Sequence, residues 1–320
     1  MDRMQTTPLP DPWAEREAQV AAVLRGATRL GVAYSGGVDS ALLLAIAVRA
    51  LGVENVVAIL GVSPSLAADE RAAAHEVAAF IGARVVEVPT TEGANPAYIA
   101  NAPDRCLHCK DELFARIDDE VVAAHELDAV AYGENADDAQ RPDRPGSRAA
   151  TEHQVLRPLA EDGLSKADVR ELARLLELPC ADRPATPCLA SRIPHHEPVT
   201  PEKLAAVEAA ERVLRECGFS DGRIRHHGEI ARVELPAAEI ARAATPEVAE
   251  RLVSGVRAAG VPVRRTRPRR QPVGAVHAAA RGGDPWAVTV RSSTSTRVAR
   301  SAADTRRRST ARARLRRRWA

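Results

Sequence analysis

The stretch RLGVAYSGGVDSALLLAIA, Arg29 to Ala47, decides the fold. Leu30–Tyr34 is a short apolar run, and Ala41–Ala47 has the composition of a buried helix face. Between them stands Ser35-Gly36-Gly37-Val38-Asp39-Ser40, a segment almost without bulk. A strand-to-helix turn can use glycine simply to bend. Two adjacent glycines flanked by serines and opening onto a helix offer more: loop amides and the helix N-terminus converge on one point, which suits a phosphate. The missing Cβ atoms let backbone and phosphate approach closely. No Gly-Lys-Ser/Thr follows, so this is not the Walker pattern.

Working outward, Val56–Leu60, Arg84–Val88 and Ala129–Tyr132 read as further buried strands. Ala68–Gly82 has helical spacing and a terminal glycine, and Lys110–Ala124 is a second periodic segment. Strands alternating with helices predict an α/β fold, a doubly wound parallel sheet with ligands at the carboxyl ends of its strands. Ser35–Ser40, Gly61–Pro64 with Ser63, and Gly133-Glu134-Asn135 all fall at such ends. Ser165–Leu176 reads as a helix with Ser165 as N-cap. Beyond a Pro-, Arg- and His-rich linker or active-site loop (181–199), a smaller α+β domain is expected over 200–260. It comprises a helix capped by Thr200, two short strands flanking Gly228, and a helix over Thr245–Ala259. The expected division is thus an N-terminal extension (1–28), the nucleotide domain (29–180), the linker, the small domain and a tail (261–320).

Composition narrows the classes. No run approaches the ~18 apolar residues of a membrane span. The first residues lack an apolar signal core, and five cysteines argue against a disulfide scaffold, which together predict a reducing cytoplasm. The net charge of +2 conceals two compositions: residues 261–320 hold 17 Arg, no Lys and 2 Asp, a balance of +15, leaving −13 for the first 260. That acidic body gives no electrostatic reason to expect a nucleic-acid partner.

SGGVDS resembles the pyrophosphate-binding loop of the ATP pyrophosphatases, the PP-loop superfamily. RCLHCK (Arg105–Lys110), GENADD (Gly133–Asp138), DRPG (Asp143–Gly146), RPLAEDGLSKADVRELAR (Arg157–Arg174) and PCLASRIP (Pro187–Pro194) follow in order. With RIRHH and ARVEL they make the chain similar to the LarE family of sulfur-inserting enzymes over roughly Leu30–Glu234. The resemblance implies ATP and Mg²⁺, with Ser35, Gly36, Gly37, Val38, Asp39 and Ser40 around the pyrophosphate and Asp39 organising the metal. Ser63, Gly133, Asp137, Arg192, Arg223 and Arg225 would complete the binding of nucleotide and phosphorylated substrate. It further implies adenylation of a pyridinium mononucleotide's carboxylates, sulfur insertion for a nickel-pincer cofactor, and a homo-oligomer.

The cysteines bear on sulfur supply. In family members with a single working cysteine, the one corresponding to Cys188 gives up its own sulfur. Members with an added Cys-x-x-Cys are thought to hold a 4Fe-4S iron–sulfur cluster, and Cys106, Cys109 and Cys188 resemble that kind. A Cys-x-x-Cys alone is equally a zinc half-site or redox pair, with His108 a rival ligand. Cys180 and Cys217 have apolar neighbours and read as core. Arg223 and Arg225 alternate on a strand and share a face, which is also what an ordinary solvated strand face shows. Asp138 fits a local cap, Asp143 a turn start, and His226–His227 exposed residues at a strand end.

The tail reads either as a basic arm for RNA or anionic lipid or as a product of a slipped reading frame. Val261–Ala275 is compatible, one base later, with an apolar strand ending in Arg-Ser-Gly, so the expectation is a frame slip near Gly260 and no folded last strand. Two other functions fit parts of the chain: another PP-loop enzyme, such as a tRNA thiolase or an amide-forming synthetase, and a non-enzymatic zinc- and nucleic-acid-binding protein. The last leaves the glycine loop without a purpose.

Overall fold

The computed structural model describes residues 8–140, 146–228, 230–261 and 289–292. After helix α1 (Trp13–Leu24) come β1 (Leu30–Ala33), α2 (Val38–Leu51), β2 (Val56–Val62), α3 (Ala68–Ile81) and β3 (Arg84–Pro89). Helix α4 (Arg105–Arg116), β4 (Ala129–Tyr132) and α5 (Lys166–Leu175) finish the first unit. The four strands are parallel in the order β3-β2-β1-β4. Every β2 residue from Val56 to Leu60 is buried because the sheet is covered on both faces. Val56, Ala58 and Leu60 pack into the core shared with α1, α2, α3 and α5, while Val57 and Ile59 point to Phe114, Ile117 and Val121 on the other side. The doubly wound parallel sheet is therefore as the sequence predicts.

Local signals set the boundaries. Gly82 ends α3 in the left-handed region at φ 87°, which glycine adopts without strain. Ser165 and Asp168 form a reciprocal capping box that starts α5. The segment expected to be helical from Lys110 begins earlier, at Arg105, so the Cys-x-x-Cys lies in the first turns of α4. It also loosens into a π-turn over Ile117–Val121.

The smaller unit holds α6 (Pro201–Glu216), the antiparallel pair β5 (Arg223–His227) and β6 (Ile230–Leu235), α7 (Pro246–Ala258) and β7 (Thr289–Ser292). Here the structure departs from expectation: β7, within the arginine-rich tail, pairs in parallel with β6 from Arg232↔Thr289 to Leu235↔Ser292. That gives the β6 edge a partner. The rest of the frame-slip reading, and Asp143, lie outside the described residues. His226 is also corrected: it is 6 % exposed, because alternate β5 residues face the small core, where Ile224 is fully buried. Among the described residues no helix is long and apolar enough to cross a membrane.

Candidate active site

The glycine loop lies at the carboxyl end of β1, against β4. Gly37 is the N-cap of α2 and no side chain caps this helix, so its first amides face outward from the loop. Ser40 closes the turn: its Oγ donates to the Gly37 carbonyl (3.0 Å), accepts from the Ser35 amide (3.2 Å) and lies 3.2 Å from the Ser35 hydroxyl. Gly36 has φ 75°, and a Cβ there would stand 2.8 Å from the Ala74 Cβ. The loop thus needs glycine for conformation and for room.

Asp39 stands in the first turn of α2 with both carboxylate oxygens engaged. Oδ1 accepts from Asn135 Nδ2 at 2.9 Å, and Oδ2 accepts from Lys166 Nζ. Asn135 caps its own turn by accepting the Asp138 amide at 3.0 Å. The cap is thus Asn135 rather than Asp138, whose side chain instead accepts from Asn135 Nδ2 at 3.1 Å. Asp137 Oδ2 accepts the Lys166 amide at 2.9 Å, joining GENADD to the start of α5. Glu134 is 1 % exposed, bound by the Ser147 hydroxyl and 3.6 Å from an Arg157 guanidinium nitrogen.

At the end of β2, Ser63 Oγ donates to Glu92 Oε1 at 2.5 Å. Glu92 is 2 % exposed, and among the described residues its Oε2 has no hydrogen-bond partner. Two residues on, the Ser65 and Tyr98 hydroxyls are 2.5 Å apart, and the Ser65 carbonyl accepts the Leu189 amide at 2.9 Å. This ties the strand end to the loop that carries Cys188.

The three sequence-predicted cysteines share one region. Cys106 and Cys188 are exposed, whereas Cys109 is half-buried against the core formed by Tyr98, Leu189 and Ala190. Burial pushes the Cys109 thiol up, and Glu92, Cys188 and Cys106 push it further. Although Cys188 presents accessible surface, the protein packed around its sulfur raises the thiol, against the lowering field of Arg105. Each thiol therefore lies within electrostatic reach of the others. Among the described residues, however, no group of three His, Cys, Asp or Glu side chains could hold a single metal ion. Cys180 is buried in the main core and Cys217 packs on the small one.

Two buried guanidiniums hold the Cys188 loop. Arg105 donates to Asn101 Oδ1 at 2.5 Å and to the Ala190 carbonyl at 3.0 Å. Arg192, expected to grip a phosphate, is 3 % exposed and committed elsewhere. It pairs with Glu211 (2.9 Å) and donates to the carbonyls of Pro187 and Cys188. Arg223 and Arg225 do share the outward face of β5; they reach the Ala185 carbonyl (2.7 Å) and the Ser191 carbonyl (2.9 Å) beside the same loop. Arg225 also pairs with Glu234, which burial pushes up but Arg225 and Arg232 together hold below the ordinary carboxylate range.

Lys166, Glu92 and Arg105 were not singled out by sequence. A capping box placed Lys166 at the first position of α5, but nothing in the spacing shows that its ammonium crosses to Asp39, 127 residues away in sequence.

Comparison with known proteins adds the following. Residues 16–119 match the Asparagine synthase family. An uncharacterized protein of Synechocystis sp. is 45 % identical over 209 residues, covering 65 % of this chain and 77 % of that protein. The pyridinium-3,5-bisthiocarboxylic acid mononucleotide synthase of Lactiplantibacillus plantarum is 34 % identical over 227 residues, 71 % of this chain and 82 % of that enzyme. An uncharacterized protein of Methanocaldococcus jannaschii is 31 % identical over 137 residues, 43 % of this chain and 53 % of that protein.

Proposed function

Since the chain belongs to the LarE family of PP-loop ATP pyrophosphatases, we propose that it is an ATP-dependent sulfur transferase that adenylates the carboxylates of a pyridinium mononucleotide and replaces carboxylate oxygen with sulfur. The observation that carries this reading is the uncapped N-terminus of α2 behind a two-glycine loop, with Asp39 in its first turn and the Cys188 loop tied to the neighbouring strand end.

In the reaction a substrate carboxylate oxygen attacks the α-phosphorus of ATP. The bond to the β-phosphate breaks, pyrophosphate leaves, and an acyl-adenylate remains. The loop and α2 amides stabilise the charge that collects on the pyrophosphate. Asp39 would hold Mg²⁺, which when bound would supply charge neutralisation there. A sulfur nucleophile then attacks the activated carbonyl carbon and AMP leaves. Arg223 and Arg225, on one face beside the Cys188 loop, are suited to the phosphate of the mononucleotide, since guanidiniums bind phosphate by paired contacts. Arg192 positions the Cys188 backbone.

Cys106, Cys109 and Cys188 would hold the 4Fe-4S cluster, which when bound supplies an iron with an open position for exchangeable sulfide. This reading rests on the three-cysteine resemblance, since among the described residues the thiols do not converge on one ion position. Anaerobic preparation is expected to yield iron and labile sulfide, both lost in Cys188→Ala. Zinc alone, or loss of about the mass of H₂S from the chain on turnover, overturns the cluster. The protein is further proposed to work in the cytoplasm as a homo-oligomer on a small nucleotide, without a nucleic-acid partner.

The deciding assay supplies Mg²⁺, ATP and a pyridinium carboxylate mononucleotide and measures AMP and pyrophosphate. Both are expected to form with the wild type and to fall at least a hundredfold in Asp39→Ala, the scale of removing a charge-stabilising group. No AMP from a folded wild type overturns the reading.

A further inference from the structure

Asp39 carries a counter-ion on one of its two carboxylate oxygens. Asn135 occupies Oδ1 as a neutral donor, and the Lys166 ammonium occupies Oδ2. A divalent cation and an ammonium on one carboxylate repel each other across a few ångströms, so a divalent cation at Asp39 disfavours Lys166 there even though the carboxylate has lone pairs for both. The Lys166 backbone is fixed, since its amide donates to Asp137 and the Ser165–Asp168 box anchors the same turn. Its side chain is 35 % exposed, so it can pivot on that fixed base. Displaced without a new partner, the ammonium loses an ion pair. A triphosphate lying on the first α2 amides, in the same turn as Asp39, offers it oxygens of the same charge.

We propose that Lys166 and the divalent cation compete for Asp39, and that the triphosphate resolves the competition by taking the ammonium. Metal and nucleotide then bind tightly only together, and Lys166 is the residue that couples them. This rests on the phosphate-loop reading of Ser35–Ser40 and adds a role for a residue outside it.

The test uses the full chain, Mn²⁺ as probe and α,β-methylene-ATP as a non-reacting nucleotide, with free Mn²⁺ followed by electron paramagnetic resonance. In the wild type, Mn²⁺ alone binds weakly and the nucleotide tightens it. In Lys166→Met, Mn²⁺ alone is expected to bind roughly three- to fivefold tighter, the worth of removing a partly exposed ionic competitor. The enhancement of metal binding by nucleotide shrinks, and that of nucleotide binding by metal shrinks by an equal factor, as linkage requires. Lys166→Arg, which keeps a cation, stays within about twofold of wild type. Lys166→Gln carries the same expectation as the methionine variant if the latter fails to fold by circular dichroism. Asp39→Asn abolishes Mn²⁺ binding in every background, leaving the free Mn²⁺ signal undiminished.

Equal Mn²⁺ affinity in wild type and Lys166→Met overturns the competition, and so does Mn²⁺ binding that survives Asp39→Asn. A folded wild type that binds neither the nucleotide nor its Mn²⁺ complex instead overturns the phosphate-loop reading itself, so the two failures are distinguishable.

Discussion

A Cβ on Gly133 would stand 2.8 Å from both the Cα and N of Ser40 and 2.9 Å from the Asp39 carbonyl carbon. All three are backbone atoms of the first turn of α2, and none can yield without moving the phosphate-facing amides. Gly133→Ala is therefore expected to weaken nucleotide binding at least tenfold with the fold intact, measured by calorimetric titration alongside circular dichroism. Glu92 poses the complementary case, a buried carboxylate tied down by one hydroxyl. Ser63→Ala removes that donor and leaves the acid short of partners, at a cost of about 1–3 kcal/mol readable in a denaturant melt. Neither residue is unusual as a letter in the sequence. What each does follows from a neighbour brought there by the fold.

Charge fastens elements to one another at several places, two of which carry predictions. Arg192, Glu211 of α6 and the Ile224 amide of β5 form one buried cluster, with Glu211 Oε1 accepting from Arg192 at 2.9 Å and from Ile224 at 3.1 Å. Arg192→Met would strand the Glu211 charge, so a loss of about 3–5 kcal/mol is expected in chemical denaturation, larger than for an exposed pair. On the far side of the sheet, His153 bridges Asp118 (2.7 Å) of the π-turn and Asp111 (3.1 Å) of α4. Burial lowers its pKa, but the two aspartates outweigh burial and raise it. The stabilisation from this bridge is therefore complete below the unfolded value near 6.5 and is lost as pH rises through the higher folded value. The stability difference between wild type and His153→Gln should be greater at pH 6 than at pH 9. His226 has the opposite sign: burial, then Lys203, lowers its pKa, so its contribution is lost as pH falls below about 6.5.

For the molecule as a whole, the proposed site draws on both units: the glycine loop and Asp39 come from the first, Arg223 and Arg225 come from the second, and the latter two reach carbonyls beside the Cys188 loop. A ligand that binds only the folded protein raises its stability by mass action, so Mg²⁺·ATP at 100 times its dissociation constant should add about 2.7 kcal/mol. Thermal melts with and without nucleotide check this, and Asp39→Ala should abolish the difference. The sequence by itself determined the parallel α/β sheet and the place of its loop, because periodicity, the glycine pair and the helix caps act within a few residues of one another. It also placed Ser63, Asp137 and the three cysteines at strand ends or in motifs that the fold brings near the loop or the Cys188 recess. Tertiary structure alone decided that Arg192 serves Glu211 and the Cys188 backbone, that His226 is buried, that Thr289–Ser292 pairs with β6, and that Lys166 meets Asp39. Those outcomes depend on which distant charges and strand edges come within a few ångströms, and local sequence carries no measure of that distance.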